Sequence, residues 1–151
     1  MFKNFSNYSG VALLRFLASL PYRALVSIGY GLGYLAAHIP NDRNRVVQKN
    51  LELCFPELSA QEINQLRKEH WRLLGRSLVE KSIIWLGSKK QLSDMIEVRS
   101  EVDLSDRQPR ILVNMHFIGI EGSIILSALA SDKGWPRTSG FFQRMKNPFF
   151  N

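Results

Sequence analysis

The chain reads as an α/β protein, with N-terminal membrane-associated helices followed by the first strands and helices of an incomplete sheet. Three observations lead there. The segment from Gly10 to Pro40 is mainly apolar, and residues 41–93 carry apolar side chains at helical spacing. Past Gly87, short apolar runs alternate with a helical stretch, the pattern of a sheet with crossover helices. These three parts set the expected organisation: 1–40 anchor or interfacial helices, 41–93 a helical region, and 94–151 an α/β region.

In the first part, Arg15 and Arg23 interrupt the apolar run, and Pro21 marks a break or the first turn of a second helix. Ala24 to Ile39 is an uninterrupted sixteen residues. As a helix it reaches about 24 Å, short of a hydrocarbon core of about 30 Å unless Arg23 and His38 snorkel at its ends. A cleaved secretory signal fits poorly because Arg15 splits the apolar region. A short spanning helix, a helix lying in the interface and a buried core helix all remain open. Gly29, Gly33 and Ala37 form a small-residue stripe suited to close helix packing. Gly29-Tyr30-Gly31-Leu32-Gly33 lacks the spacing and preceding strand of a nucleotide loop. Tyr22, Tyr30 and Tyr34 suit either headgroup depth or core packing.

The middle part is helical. Asn41-Asp42 opens a helix through Leu53 that groups Val46, Val47, Asn50 and Leu51, and Pro56 ends it. Ser59-Ala60-Gln61-Glu62 is a capping-box pattern opening a second helix. Along it Ile63, Leu66, His70, Leu73, Leu74 and Leu78 recur as the expected inward stripe, and Gly87 is the stop. His70 on that stripe reads as a satisfied core or interface histidine. Arg67, Lys68, Arg72 and Arg76 form either a solvated face or a guide for an acidic partner.

In the last part, Met95–Val102, Arg110–Met115 and Thr138–Phe142 read as strands. Leu104–Pro109 reads as a polar turn region and Gly122–Ala130 as a helix. Phe141, Phe142, Phe149 and Phe150 put an apolar cluster near the end of the chain, which suits an interface or a missing partner.

Composition narrows the function classes. The formal net charge is +7. Residues 1–58 hold six Lys/Arg against three Asp/Glu, residues 59–93 seven against three, and residues 94–151 seven of each. The excess therefore precedes residue 94, where it suits anionic headgroups, phosphorylated lipids or an acidic carrier. Nucleic acid is not an expected partner, since no recognition helix, zinc finger or aromatic RNA-binding pattern accompanies the charge. Cys54, the single cysteine, excludes an internal disulfide and reads as a buried structural thiol. No metal or cofactor is expected: no cluster has metal-ligand spacing, and His38, His70 and His116 lie far apart.

The stretch that carries chemistry is Asn114-Met115-His116-Phe117-Ile118-Gly119-Ile120-Glu121-Gly122, directly after Ile111-Leu112-Val113. Within one helix a five-residue gap would set His116 and Glu121 on different faces. A strand end turning into a helix can bring them together instead, giving a general base with its orienting acid. Neutral imidazole accepts a proton from an attacking hydroxyl, and a carboxylate on its other nitrogen fixes the tautomer. Gly119 and Gly122 let backbone approach a substrate. The same residues also fit a satisfied loop histidine beside a helix-start glutamate.

This stretch resembles the His-x-x-x-x-Asp/Glu acyltransferases, most closely the bacterial lipid A biosynthesis (lauroyl/myristoyl) acyltransferase family. Further segments match that family's layout in order: the apolar N-terminal segment, Arg43-Asn44-Arg45-Val46-Val47-Gln48-Lys49-Asn50-Leu51, Cys54-Phe55-Pro56-Glu57-Leu58-Ser59, a helix with Gly75 and Glu80, and Ile96-Glu97-Val98-Arg99. Phe142-Gln143-Arg144-Met145-Lys146-Asn147-Pro148 resembles its second, basic motif. The resemblance implies acyl transfer from acyl carrier protein to a hydroxyl of an anionic lipid A precursor. It makes 94–151 an incomplete α/β catalytic domain, and assigns His116 as base, Glu121 as its support, and Arg144, Lys146 and Gly119 to substrate binding. It also implies the bacterial inner membrane, with the catalytic part on the cytoplasmic side. Family members continue past the basic motif, so the chain is expected to be the N-terminal half of an enzyme. A non-catalytic membrane-bound fragment, and a glycerolipid or aminolipid acyltransferase using the same dyad, are the competing readings.

Overall fold

The computed structural model describes residues 2–106, 108, 109, 111, 113, 117, 118, 120–122, 125, 129, 130, 134 and 135, with side chains from residue 8 onward. Among these the helices are α1 (Phe2–Ser19), α2 (Tyr22–His38), α3 (Asp42–Cys54), α4 (Ala60–Leu86) and α5 (Lys89–Met95). The chain divides into two compact units, one of Leu17–Ser82 and the other of Met1–Phe16 with Ile83–Asn151.

Prolines and caps set the helix limits. Pro21 stands as the N-cap of α2 at φ −55, ψ 137, where its missing N–H costs nothing. Ile39 ahead of Pro40 is extended, as the residue before a proline tends to be. The Asn41 side chain accepts the Asn44 N–H at 2.8 Å and opens α3, and Phe55-Pro56 closes it. Ser59 and Glu62 form the expected capping box on α4: the Ser59 N–H donates to the Glu62 carboxylate at 2.8 Å, and the Glu62 N–H donates to Ser59 Oγ at 3.4 Å. These bonds hold the Glu62 carboxyl below its usual range, the Ser59 hydroxyl contributing most. Gly87 follows α4, its N–H donating to the Ile83 carbonyl at 2.7 Å. Helix α5 has no counterpart in the sequence reading, although Ser88 and Gln91 form a full capping box at its start.

The Leu17–Ser82 unit is organised by glycines. Leu25, Gly29, Gly33 and Ala37 are the buried residues of α2. A Cβ added at Gly29 would stand 2.6 Å from Arg76 Cα, and one at Gly33 would stand 2.7 Å from Arg72 Cα and strike the Trp71 carbonyl. In return, a Cβ at Gly75 would stand 2.6 Å from Gly33 N and strike the Gly29 carbonyl. Backbone therefore meets backbone where α2 and α4 cross, an approach that only small residues permit. This contact corrects part of the expected stripe on α4, in which Ile63 is buried and His70 and Leu73 are half-buried as expected. Gly75, Ser77, Val79 and Ser82 are buried, whereas Leu66, Leu74 and Leu78 are exposed. Turning Gly75 toward α2 turns those leucines away.

In the second unit Ile83, Leu92, Ile125, Leu129 and Ala130 are buried. Ile125 and Leu129 are helical and four residues apart, so they share a face.

The expected α/β sheet is overturned: the described residues are helical or irregular, and no strand forms among them. Ile96 does adopt extended backbone, φ −129 and ψ 124, where the first strand was expected. Extended conformation becomes a strand only when a neighbour completes the hydrogen-bond ladder, and no described segment supplies one. Ile111 and Val113, from the expected second strand, are 92% and 88% exposed without regular structure. Thr138–Phe142, the expected third strand, lies outside the described residues. The polar region does turn: Asp103 accepts the Ser105 N–H at 2.8 Å, and Asp106 accepts the Gln108 N–H at 3.0 Å. No helix among the described residues is long and apolar enough to cross a membrane.

The helix contact makes a direct prediction. Replacing Gly75 by Leu should lower unfolding stability by about 1–3 kcal/mol or more, because the helices must separate. Gly31→Ala adds a methyl group that meets nothing within 4 Å. It should be neutral or stabilising by up to about 1 kcal/mol through helix propensity. Urea titration of both variants checks the pair; equal effects would contradict the packing.

Candidate functional site

Of the residues singled out for chemistry, His116, Gly119, Arg144 and Lys146 lie outside the described residues, so the structure gives no distance between His116 and Glu121. Glu121 is described. It is half-buried in a turn immediately before helical Gly122, with Ile125 and Leu129 continuing the helical register. The Ile120 N–H donates to the Phe117 carbonyl at 3.2 Å, which curls the backbone just ahead of the carboxylate. A Cβ on Gly122 would sit 3.5 Å from Ile96 Cδ1, so the extended segment after α5 lies beside this helix start. A carboxylate entering a helix is favoured by the N-terminal end of the macrodipole. This position suits either an orienting acid or a helix-start charge.

The Leu17–Ser82 unit contains a polar network that the sequence reading divided among separate roles. Arg76 Nε donates to Glu80 Oε1 at 2.8 Å, Tyr22 OH donates to the same oxygen at 2.6 Å, and Arg76 also donates to Tyr22 OH at 3.0 Å. The Glu80 side chain is only 13% exposed, so partial burial strengthens the pairing. The hydrogen bond to Glu80 holds the Arg76 guanidinium protonated well above its ordinary range. Burial, followed by the Glu80 bond, raises the Tyr22 hydroxyl above its ordinary value. The i,i+4 spacing of Arg76 and Glu80 was visible in the sequence. Their meeting with Tyr22, fifty-eight positions from Glu80, was not.

At the other end of α2, Asn44 donates its amide to the Ala36 carbonyl at 3.0 Å and the Ile39 carbonyl at 2.8 Å. Arg67 donates to the Ala37 carbonyl and to Asn44 Oδ1, both at 2.7 Å. These two side chains take up carbonyls that the helix end leaves open, and the cation also suits the negative end of the macrodipole. Arg72 lies 4.3 Å from the centre of the Tyr30 ring and pairs with Glu69 at 3.3 Å. Arg67, Arg72 and Arg76 therefore each have an intramolecular partner, which the sequence reading of a solvated or partner-guiding row did not include. Asn44, quoted above within a family motif, is a structural cap.

His70 is half-buried with its ring 6.1 Å from that of Trp71 in an edge contact. Burial lowers its pKa, as expected for a packed histidine. Cys54 is exposed, contrary to its reading as a buried thiol. It is the last residue of α3, a helix with no buried residue. Among the described residues, no group of three His, Cys, Asp or Glu gathers to hold a metal ion.

Comparison with known proteins supplies the class. The model of a family described as bacterial lipid A biosynthesis acyltransferase matches residues 1–151, and the chain belongs to that family. It is 32% identical over 116 residues to a lipid A biosynthesis lauroyltransferase of Escherichia coli K12, covering 74% of this chain and 38% of that protein. It is also 32% identical over 116 residues to a lipid A biosynthesis acyltransferase of Haemophilus influenzae, covering 74% of this chain and 37% of that protein. A lipid A biosynthesis palmitoleoyltransferase of Escherichia coli K12 is 31% identical over 116 residues, covering 74% and 38% respectively. The chain thus spans well under half the length of these relatives. No solved structure matches it.

The Tyr22 network has a pH signature. Its raised pKa means that the folded state keeps the phenolic proton longer than the unfolded state does. The contribution is complete below the ordinary value of 10.0 and is lost as pH rises through the raised folded value. At pH 7, Tyr22→Phe should lower stability by about 1 kcal/mol, the usual size of one such bond. Urea titrations of parent and variant should show that gap narrowing above pH 10.0; a gap independent of pH would contradict it.

Proposed function

We propose that this chain carries the catalytic dyad of an acyltransferase that moves a fatty acyl group from an acyl carrier protein thioester to a hydroxyl of a lipid A precursor. The observation that carries the reading is the His116–Glu121 spacing directly ahead of a helical start, in a chain matched by the family over residues 1–151. The matched relatives are named for acyl transfer in lipid A biosynthesis.

In this scheme His116 removes the acceptor hydroxyl proton as the oxygen attacks the thioester carbonyl. The tetrahedral intermediate collapses by breaking the C–S bond, and the imidazolium returns the proton to the departing thiolate. Ester and free thiol result, with no change in oxidation state. Glu121 holds the imidazole in one tautomer and supports its positive charge. Gly119 lets backbone approach the acyl chain. Arg144, aided by Lys146, binds a phosphate of the acceptor or of the carrier arm, since guanidinium matches phosphate bidentately. The chain's positive charge suits the anionic cytoplasmic surface of the bacterial inner membrane, where such an acceptor resides.

Variants in the full-length protein test the roles. His116→Ala should reduce transfer by about 100-fold to 10,000-fold, the range for a general base, with membrane association intact. Glu121→Gln should be milder, at about tenfold or more. Transfer of labelled acyl groups from carrier thioester to lipid acceptor provides the measurement. Unchanged turnover in His116→Ala would remove it as base, and unchanged turnover in Glu121→Gln would leave that carboxylate a helix-start charge.

A further inference from the structure

Helix α2 is apolar on two sides, and among the described residues only one of them is covered by a packed helix. Its glycine side meets α4. About a third of a turn around the helix from that side, Ile28, Leu32, Leu35 and Ile39 are 39%, 46%, 59% and 58% exposed. At 3.6 residues per turn these four fall on one line, and Ala24 and Gly31, also exposed, lie beside it without adding a polar group. The polar residues of α2 (Arg23, Ser27 and His38) fall on a different side, together with Tyr34.

Helix α4 decides how such a stripe can meet a membrane. It runs antiparallel along α2: Arg67 reaches Ala37, a Cβ on Gly33 would meet Arg72, one on Gly29 would meet Arg76, and Tyr22 bonds Glu80. Were α2 to span a bilayer, it would carry these three arginines and the glutamate along the depth of the hydrocarbon. Each charge at mid-depth carries a penalty of several kcal/mol. With α2 parallel to the surface, the whole charged row stays on the aqueous side. The flanking cations agree: Arg23 lies at one end of the stripe, with Arg43 and Arg45 past the other. In-plane, both ends stand near headgroup level, with Arg23 on the polar side of the helix, where the long-range attraction of anionic lipid still reaches it.

We infer that α2 is an in-plane membrane-docking helix, with Ile28, Leu32, Leu35 and Ile39 entering the acyl region of an anionic bilayer and α4 running alongside it. This inference rests on the membrane location proposed above and is independent of the dyad. The exposed leucines of α4 make a weaker face for the same role, because Leu74 and Leu78 share their side with Lys81.

Depth measurement tests it. In a Cys54→Ser background of the full chain, single cysteines at 28, 32, 35 and 39 receive an environment-sensitive dye. Vesicles of phosphatidylethanolamine and phosphatidylglycerol then carry bromines at known acyl depths. All four dyes should report one shallow depth. A spanning helix would instead separate positions 28 and 39 by about 16 Å, at 1.5 Å per residue, which would overturn the orientation but keep the membrane location. Dyes reached only by aqueous quencher, or shielded from both quenchers by protein, would overturn lipid as the occupant. The pair Leu32→Asp with Leu35→Asp should weaken vesicle binding at least about tenfold, and vesicles of phosphatidylcholine alone should bind the parent less well. Undiminished binding by that double variant would also contradict the inference.

Discussion

Backbone contact between α2 and α4, through Gly29, Gly33 and Gly75, is the constraint on which the rest of the Leu17–Ser82 unit depends. Helices this close have no room for side chains between them at the crossing. Longer side chains must reach around the edges, and that is where the polar network forms. Tyr22, Arg76 and Glu80 tie one end of α2 to α4, while Asn44 and Arg67 satisfy the carbonyls at the other. Neither cluster could close if the axes stood a side chain further apart. The glycine contact also sets the rotation of α4, placing Gly75 and Val79 inside and Leu74 and Leu78 outside.

The same constraint governs how charge is distributed around α2. Arginines that look like a docking row in the sequence are drawn along one side of the helix and engaged there. About a third of a turn away, a stripe of four exposed aliphatic residues carries no charge. A basic chain with an interrupted apolar N-terminus thus becomes a unit with its charges gathered along α4 and a separate apolar stripe on α2. An apolar stripe of this kind suits a chain whose proposed acceptor is a lipid.

Legibility in the sequence followed the range of the interaction. Helix limits were readable because Pro21, Pro40, Pro56, the Ser59–Glu62 box and Gly87 act on their own neighbours. The Gly29–Gly33–Ala37 stripe was readable as a packing face because small residues at helical spacing have one main use. Its partner Gly75 was not, since nothing local links the two, and Leu66, Leu74 and Leu78 offered a more apolar face that proves exposed. Helix α5 was missed although Ser88-x-x-Gln91 marks its start. The sheet failed for a different reason: Ile96 is extended as its sequence suggests, yet pairing needs a second segment that no local pattern can supply. At the candidate site, the turn into a helix at Glu121 agrees with the sequence, whereas the His116 side of the dyad rests on spacing and family membership.

The packing claim can be read most directly by nuclear magnetic resonance on protein carrying α-proton labels at glycine. The account predicts a strong through-space cross-peak between the α-protons of Gly33 and Gly75, retained when the exposed stripe is placed against lipid. Assigned glycine signals in both helices with no such cross-peak would show that the backbones do not touch, and the charge arrangement built on that contact would fall with it.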